Sequence, residues 1–265
     1  GRYCERSILR PTGRAPEGVG TAMTDSPIIR RSALYAFHLS SGAQMAEDNS
    51  WQCPDTYGSL DAEVQAIRER VGLRDISSMS KLEFQGQASL SALAQWLAID
   101  ADAISKSGTV TQIPAAAVSL ESHTSALLCC LTKDRARLIT SPGTAESVQS
   151  RYKSATDIES LHITDITSSL TAVQIAGPNS RDLLIKLTAL DLRAAQFPNR
   201  VCAQGSLAKV HVLIVRADIQ AHLSYHVYYG REFGQYVWNA LMDAGEDFGV
   251  APFGLAAQRQ VDAEG

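Results

Sequence analysis

The fold is decided by the stretch Arg216-Ala-Asp-Ile-Gln-Ala-His-Leu-Ser-Tyr-His-Val-Tyr-Tyr-Gly230, read together with the residues that follow it. Aromatic and β-branched residues fill its second half, and this composition predicts a strand from Leu223 to Tyr229. The next segment repeats apolar residues at helical spacing through Phe233, Val237 and Leu241, and it stops at a glycine typical of a helix C-terminus. A strand followed closely by an amphipathic helix is therefore the basic unit of this chain.

Upstream of this unit, helix and strand patterns alternate. Ser59 is a candidate helix N-cap. The helix that follows has its apolar residues Val64, Ile67 and Val71 on one face, and Gly72 lies just past its predicted end. Lys81 to Gln85 alternates polar and apolar side chains, which predicts a strand with one solvated face, and residues 89–99 predict a helix after it.

The same rhythm continues to the end of the chain. The further predicted elements are a hairpin of residues 126–131 and 136–140, a helix opened by Pro142, strands at 171–176 and 207–215, and a helix at 180–187. Two successive sets of strands and helices predict an α+β fold with internal duplication.

Composition excludes several classes of function. With 265 residues, of which 45% are hydrophobic, the chain is long enough to bury a full core. Lys and Arg number 24 against 28 Asp and Glu, so no basic field attracts a phosphate backbone, and we expect no nucleic-acid partner. The longest apolar run, near residues 126–131, is far shorter than the roughly 20 residues of a membrane helix, so we expect no membrane partner.

The cysteines and the N-terminal residues add two further expectations. Five cysteines form an odd set without the paired spacing of metal ligands, which predicts reduced thiols, no metal site and a cytoplasmic location. Residues 1–22 lack hydrophobic periodicity and the apolar region of a secretory signal. We therefore expect a disordered N-terminal extension over 1–27 and one folded domain over 28–265.

Several segments resemble one known family in the same order. They are Leu34-Tyr-Ala-Phe-His-Leu39, Trp51-Gln-Cys-Pro-Asp-Thr-Tyr-Gly-Ser59, Val71-Gly-Leu-Arg-Asp-Ile-Ser-Ser-Met79, Val173-Gln-Ile-Ala-Gly-Pro-Asn-Ser-Arg181 and the stretch that opens at Arg216. Together they resemble the folate-binding domain of the glycine-cleavage T-protein (aminomethyltransferase) family. The resemblance implies an internally duplicated α+β domain of mixed sheets with packed helices, here lacking the C-terminal barrel domain of the relatives.

The same resemblance implies a ligand and the residues that hold it. The ligand is tetrahydrofolate, and the positions expected to contact it are Met79, Thr140, His222, Tyr225, His226 and Glu264. The family's catalytic aspartate falls near Thr124 or Ser125, where the nearest acid is Glu121, so the catalytic residue is not identified. His222, Ser224 and His226 are expected to alternate onto one strand face, with the histidines on the order of 13 Å apart, too far to share a metal ion.

This chain departs from the family at charged positions. Ala221-His222 stands where the family has Gly-Glu, and His226 stands where it has a second glutamate. A neutral imidazole offers at most one hydrogen-bond acceptor, whereas a carboxylate accepts a pair from a pterin ring. Gln258 and Asp262 replace arginines of the final helix. We therefore expect a cavity for a flat bicyclic ring between two half-domains, without the negative groups that usually hold it.

Three functions remain open at this point. The first is a tetrahydrofolate-binding aminomethyl transferase, whose partners are folate and a one-carbon donor on a lipoyl-carrier protein or an oxidoreductase subunit. The second is a non-catalytic folate-domain module or subunit that has lost the catalytic aspartate and the pterin-binding glutamate. The third is another ligand in the same cavity, with His222 as an acid–base group near neutral pH.

Overall fold

A computed structural model of the protein describes residues 28–100, 104, 106–118, 126–156 and 162–264. The helices are α1 (Tyr35–Ser40), α2 (Leu60–Glu69), α3 (Gln87–Leu97), α4 (Ala145–Ala155), α5 (Ser180–Ile185), α6 (Gly234–Gly245) and α7 (Leu255–Ala263). The strands are β1 (Arg30–Arg31), β2 (Gln44–Asp48), β3 (Trp51–Thr56), β4 (Val71–Asp75), β5 (Ser80–Gln85), β6 (Val110–Ile113), β7 (Ala126–Thr132), β8 (Arg135–Thr140), β9 (His162–Asp165), β10 (Leu170–Ala176), β11 (Cys202–Leu207), β12 (Val210–Arg216), β13 (Ser224–Gly230) and β14 (Val250–Pro252).

The strands form two large sheets and one small sheet. The order is β11-β12-β13-β10-β4-β14 in the six-stranded sheet and β6-β7-β8-β5-β9 in the five-stranded sheet. A three-stranded sheet, β1-β3-β2, lies apart from them. The pairs β14·β4 and β1·β3 are parallel and the other pairs are antiparallel, so the expected α+β fold with mixed sheets is confirmed.

The core divides the molecule into layers. One hydrophobic cluster packs helix α6, with buried Trp238, against one face of the six-stranded sheet. A second cluster packs α3 and α4 against the five-stranded sheet, with Tyr152 as a fully buried contributor. A third joins the two sheets through residues such as Ile139 and Tyr228. The sheets therefore lie back to back, with helices on their outer faces.

Helix α2 ends earlier than its sequence pattern predicts. Ser59 is its N-cap and accepts a hydrogen bond from the backbone N–H of Ala62, as expected. The helix stops at Glu69, however, and Val71 and Gly72 lie in strand β4. The glycine is required by packing, because a Cβ there would lie 2.6 Å from the ring of Phe253. Parallel pairing with β14 therefore overrides the helical spacing of Val71.

Strand β5 has no solvated face, which corrects the alternation read from its sequence. Lys81 and Glu83 are buried because they share a face of the sheet with Ile139, which packs against the six-stranded sheet. The Lys81 ammonium donates to the carbonyl oxygens of Ser77, at 2.9 Å, and Met79, at 2.7 Å. Glu83 pairs with Arg137 at 2.8 Å. Buried charge in this strand is thus matched by specific partners, as burial requires.

The predicted strand at 207–215 is two strands. Chain reversal occurs at Ala208 and Lys209, which both have positive φ, so β11 and β12 form a tight hairpin. The predicted hairpin of β7 and β8, strands β10 and β13, and helices α3 and α6 are confirmed within a few residues. None of the described helices is long and apolar enough to cross a membrane. The expected extension, 1–27, lies outside the described residues.

Lys81 gives the first testable prediction. Burial lowers its pKa from 10.5 to about 7, so between these values the unfolded chain holds a proton that the folded chain has released. The contribution of Lys81 to the free energy of unfolding therefore rises with pH across that window, by up to about 1.4 kcal/mol per pH unit. Denaturant titrations at pH 7.5 and 9.5 should show this rise in the wild type relative to Lys81→Met.

The matched control is Lys153→Met, which changes an exposed lysine on α4. Its difference from the wild type should be the same at both pH values. Equal pH dependence in the wild type and Lys81→Met would contradict the prediction.

Candidate functional site

A cavity of about 390 Å³ lies where the six-stranded sheet meets helix α7. Strands β4, β10 and β13 supply one wall and α7 supplies another. Apolar side chains from the neighbouring layer, Ile76, Met79 and Leu127, line a third side. The volume is within the range of small-molecule sites, roughly 300 to 1,000 Å³. The cavity is thus a candidate ligand site with polar and apolar walls.

The sheet wall carries three polar side chains in one row. Gln174 on β10 pairs in register with Arg74 on β4 and with His226 on β13. All three line the cavity. Side chains in register on neighbouring strands lie about 5 Å apart, so the row is about 10 Å wide. That width matches a flat bicyclic ring.

The residues next to this row face the other way. Leu73, Ile175 and Tyr225 are likewise in register with one another, and they belong to the cluster under α6. Alternation along a strand explains this, since successive side chains point to opposite faces. Tyr225, expected to contact the ligand, is therefore buried in the core and does not line the cavity.

Helix α7 presents one face to the cavity. Its lining residues are Leu255, Gln258, Arg259 and Asp262, at spacings that share a helical face. The side-chain N–H of Gln258 donates to the Asp262 carboxylate at 2.8 Å. Because a carboxylate accepts only, this bond sets the orientation of the amide and directs the Gln258 carbonyl elsewhere.

A buried carboxylate positions the start of α7. Glu63 on α2 accepts hydrogen bonds from the Thr56 hydroxyl and the Tyr57 backbone N–H, both at 2.6 Å, and from the Gly254 N–H at 2.8 Å. Gly254 itself permits this approach, because a Cβ there would lie 2.1 Å from the Asp55 carbonyl oxygen. One side chain thus ties α2, the end of β3 and the start of α7 together.

A second buried carboxylate fixes the turn that carries Met79. Asp75 accepts from the Ser77 backbone N–H at 2.9 Å and contacts His38 Nε2 at 3.0 Å. Burial acts to raise the pKa of Asp75, but the hydrogen bond and charge of His38 hold that pKa below its ordinary value. Lys81 binds two carbonyl oxygens of the same turn. The wall near Met79 is therefore rigidly supported.

Charge in the polar row is concentrated on Arg74. Burial lowers the pKa of Arg74 to about 10, opposed first by Asp262, so the guanidinium is charged at neutral pH. Burial, and next the charge of Arg74, lowers the pKa of His226 to about 3, so the imidazole is neutral. The Tyr228 hydroxyl lies 3.2 Å from His226 Nδ1, and burial raises the pKa of this tyrosine, so the hydroxyl keeps its proton.

Several polar atoms of the cavity walls have no hydrogen-bond partner within the described part of the chain. They are Arg74 Nε, Gln174 Oε1 and Gln258 Oε1. A buried polar atom without a partner costs roughly 1–3 kcal/mol. These atoms have almost no surface exposed to solvent, so one donor and two acceptors are unpaired within the cavity walls.

The predicted contact residues separate into two groups. Met79 and His226 line the cavity. Thr140 is buried and bonds the Thr144 hydroxyl at 2.7 Å, and Glu264 is exposed and pairs with Arg68. Neither of these two lines the cavity.

His222 lies outside the strand that it was expected to share with His226. Strand β13 begins at Ser224, and His222 exchanges backbone hydrogen bonds with Ile219 in the preceding turn. It does not line the cavity, so the expected strand face for this histidine was wrong. Thr124, Ser125 and Glu121 lie outside the described residues.

The cavity also has more acids than the sequence led us to expect. Its lining includes the aspartates Asp48, Asp75, Asp218 and Asp262, from four different segments. Sequence reasoning named only Asp262 among them and missed Arg74 and Gln174 as well, because it followed family positions. The available signal was a charged or amide residue in the middle of an otherwise apolar strand, since such residues are rarely buried without a role.

Glu63 generates the second prediction. Glu63→Ala removes three hydrogen bonds to a buried carboxylate and should lower the free energy of unfolding by about 3 kcal/mol. Urea denaturation followed by tryptophan fluorescence measures this loss. The control is Glu69→Ala at the exposed end of the same helix, which should cost less than about 0.5 kcal/mol. A loss no larger than that of the control would show that the three hydrogen bonds of Glu63 do not stabilise the fold.

The chain is similar to curated aminomethyltransferases. It is 27% identical over 232 residues to that of Halothermothrix orenii, which covers 87% of this chain and 63% of the relative. It is 30% identical over 246 residues to that of Koribacter versatilis, which covers 89% of this chain and 63% of the relative. The chain thus spans less than two thirds of the length of these relatives.

Solved structures share the fold. The glycine cleavage system aminomethyltransferase T from Bartonella henselae superposes with a TM-score of 0.75 at 19% identity, over 89% of this chain and 62% of that one. A chain of the heterotetrameric sarcosine oxidase from Corynebacterium sp. U-96 gives 0.60 at 18% identity, over 84% of this chain and 97% of that one. The model of the GCVT N-terminal domain matches residues 34–265, and the chain therefore belongs to this family.

Proposed function

We propose that this chain forms a tetrahydrofolate-binding domain of the aminomethyltransferase type, which takes part in one-carbon transfer. The observation that carries the proposal is the cavity beside β4, β10 and β13, with its polar row and unpartnered atoms, in a chain of this family. Similarity to aminomethyltransferases over most of the chain supports the reaction class.

The cavity residues fit a pterin ring. Such a ring presents an amide-like N–H, an exocyclic amine and a carbonyl oxygen, and these complement two acceptors and one donor. The side chains of Gln174, Gln258 and Arg74, which line the cavity, carry groups of these kinds. Ile76 and Met79 offer apolar surface to the ring faces. The fit therefore rests on atoms present in this chain.

The chemical roles follow from the charges that line the cavity. Bound tetrahydrofolate would supply the ring nitrogens that accept the one-carbon unit. Asp48 and Asp262 place negative charge at the cavity, which favours a positively charged, iminium-like group there. His226 is neutral near pH 7, so it can orient a ligand by one hydrogen bond but adds no charge. We assign no proton-transfer residue.

The donor of the one-carbon unit is part of the same proposal. We infer that it is presented by a lipoyl-carrier protein or by an oxidoreductase subunit. The fold shared with a chain of a heterotetrameric sarcosine oxidase shows that this architecture also occurs inside an oxidoreductase assembly. A non-catalytic module would bind folate equally well, so a transfer assay must accompany every binding measurement.

Folate binding is the third prediction. Isothermal titration with 5-formyltetrahydrofolate should show saturable binding at one site, with a Kd on the order of micromolar, or about −8 kcal/mol. p-Aminobenzoyl-glutamate, which lacks the pterin, should bind at least about 10-fold more weakly, since it leaves the polar row unfilled. No heat at millimolar folate would refute the proposed function.

A further inference from the structure

The two large sheets meet along one edge, where β6 and β11 are the outermost strands of their sheets. Just before β6, the Gly108 carbonyl oxygen accepts from the Cys202 backbone N–H, and the Gly108 N–H donates to the Cys130 carbonyl oxygen, both at 2.8 Å. Gly108 has a φ of +87°, and a Cβ there would lie 3.2 Å from the Cys202 carbonyl oxygen. One glycine therefore holds β7 of the five-stranded sheet beside β11 of the six-stranded sheet.

Two thiols face each other at this junction. Cys129 on β7 and Cys202 on β11 are both buried in the hydrophobic cluster that joins the sheets. Their side chains share a hydrogen bond, so the two sulfur atoms are neighbours. The backbone on both sides is fixed, because the Cys202 N–H donates to Gly108 and the Cys130 N–H donates to Thr109. A disulfide, with its S–S bond of about 2.05 Å, can form here by side-chain rotation within strands that are already adjacent.

The two thiols differ in access and in acidity. Cys202 lines a cavity of about 310 Å³, whereas Cys129 is not among the residues of its wall. The hydrogen bond from Cys129 lowers the pKa of Cys202, and the Arg137 cation, in register with Cys129 on β8, acts in the same direction against the effect of burial. The hydrogen bond and burial raise the pKa of Cys129. Because the thiolate is the reactive form of cysteine, Cys202 is the thiol that a small oxidant meets first.

We propose that Cys129 and Cys202 form a peroxide-reactive pair that closes a disulfide between the two sheets. The Cys202 thiolate attacks one oxygen of hydrogen peroxide, the O–O bond breaks, and the departing hydroxide takes up the proton that Cys202 released. The Cys129 thiol then attacks the sulfur of the Cys202 sulfenic acid, the S–O bond breaks, and water leaves with the Cys129 proton. The two thiols lose two electrons in all, and one peroxide becomes two waters.

The bridge has a structural consequence, because it joins segments that are far apart in the chain. A cross-link that closes a long loop stabilises the folded state, mainly by restricting the unfolded chain. The cluster that contains both cysteines also packs against Met79 and Leu127, which line the candidate ligand cavity. Oxidation therefore fixes the layer between the sheets without adding a group to that cavity. Formation of the bridge requires no folate and lies outside the proposed function.

Cys130 provides a matched control. It is buried and adjacent to Cys129 in the sequence, but alternation along β7 turns its side chain to the opposite face of the sheet. Its thiol donates to the Ile104 carbonyl oxygen. Cys130→Ala therefore removes a neighbouring buried thiol and leaves both members of the pair in place.

The test treats the reduced full chain with excess hydrogen peroxide, blocks the remaining thiols with N-ethylmaleimide in denaturant and maps the peptides by mass spectrometry without reductant. In the wild type, fragment ions should place a disulfide between Cys129 and Cys202 and the N-ethylmaleimide label on Cys130. The Tm should rise by about 5–15 °C on oxidation and return on reduction with dithiothreitol. Cys130→Ala should give the same link and the same rise, whereas Cys129→Ala and Cys202→Ala should give neither.

Several results would overturn the proposal. They are a link between Cys202 and Cys130, sulfinic acid on Cys202 without a link, and a wild type in which Cys129 and Cys202 both stay reduced. Loss of the link in Cys130→Ala would also overturn it, because that variant retains both sulfur atoms. If Cys129→Ala or Cys202→Ala does not fold, the peptide map of the wild type still decides the question, since it needs no variant. Folate binding by the reduced chain is measured separately, so neither result changes the proposed function.

Discussion

The cavity depends on one electrostatic constraint, which is that Arg74 stays charged inside a β-sheet. Burial disfavours its charged form, and nearby carboxylates, Asp262 first among them, oppose that effect. Burial, and next the charge of this cation, lowers the pKa of its neighbour His226 and leaves the imidazole neutral. A positive charge and an uncharged imidazole therefore lie in the same polar row.

Other buried polar groups hold the walls in place around this cation. Glu63 binds three donors from separate segments and thereby sets where α7 begins. Asp75 and Lys81 act in the same way on the turn of Met79, one by accepting a backbone N–H and the other by donating to carbonyl oxygens. Each of these charged groups is buried away from water, and its hydrogen bonds offset the free-energy cost of that desolvation. Such groups are costly to place but specify one arrangement of loops, which a purely apolar contact does not.

Much of the fold was readable from periodicity. The hairpin of β7 and β8, strand β13 and helices α3 and α6 follow hydrophobic patterns whose partners are close in sequence. The failures have a common cause in long-range pairing. Val71 continues a helical pattern yet joins a strand, because β14, far along the chain, pairs with it. Lys81 alternates like a surface residue yet is buried, because its face of the five-stranded sheet packs against the six-stranded sheet.

For the site, local sequence identified Met79 and His226, since each lies in a segment that resembles the family and faces the cavity by strand or turn geometry. Local sequence also placed Tyr225 in the cavity. Tyr225 is one residue from His226 on the same strand, so its side chain points to the opposite face. The composition and order of residues were enough to establish the α+β class, the family resemblance and the elements with local patterns. The register of β4, β10 and β13, which brings Arg74, Gln174 and His226 into one row, arises only on folding. Strand pairing and burial bring these distant residues together. The free energies of those long-range interactions cannot be read from the neighbouring residues of the sequence.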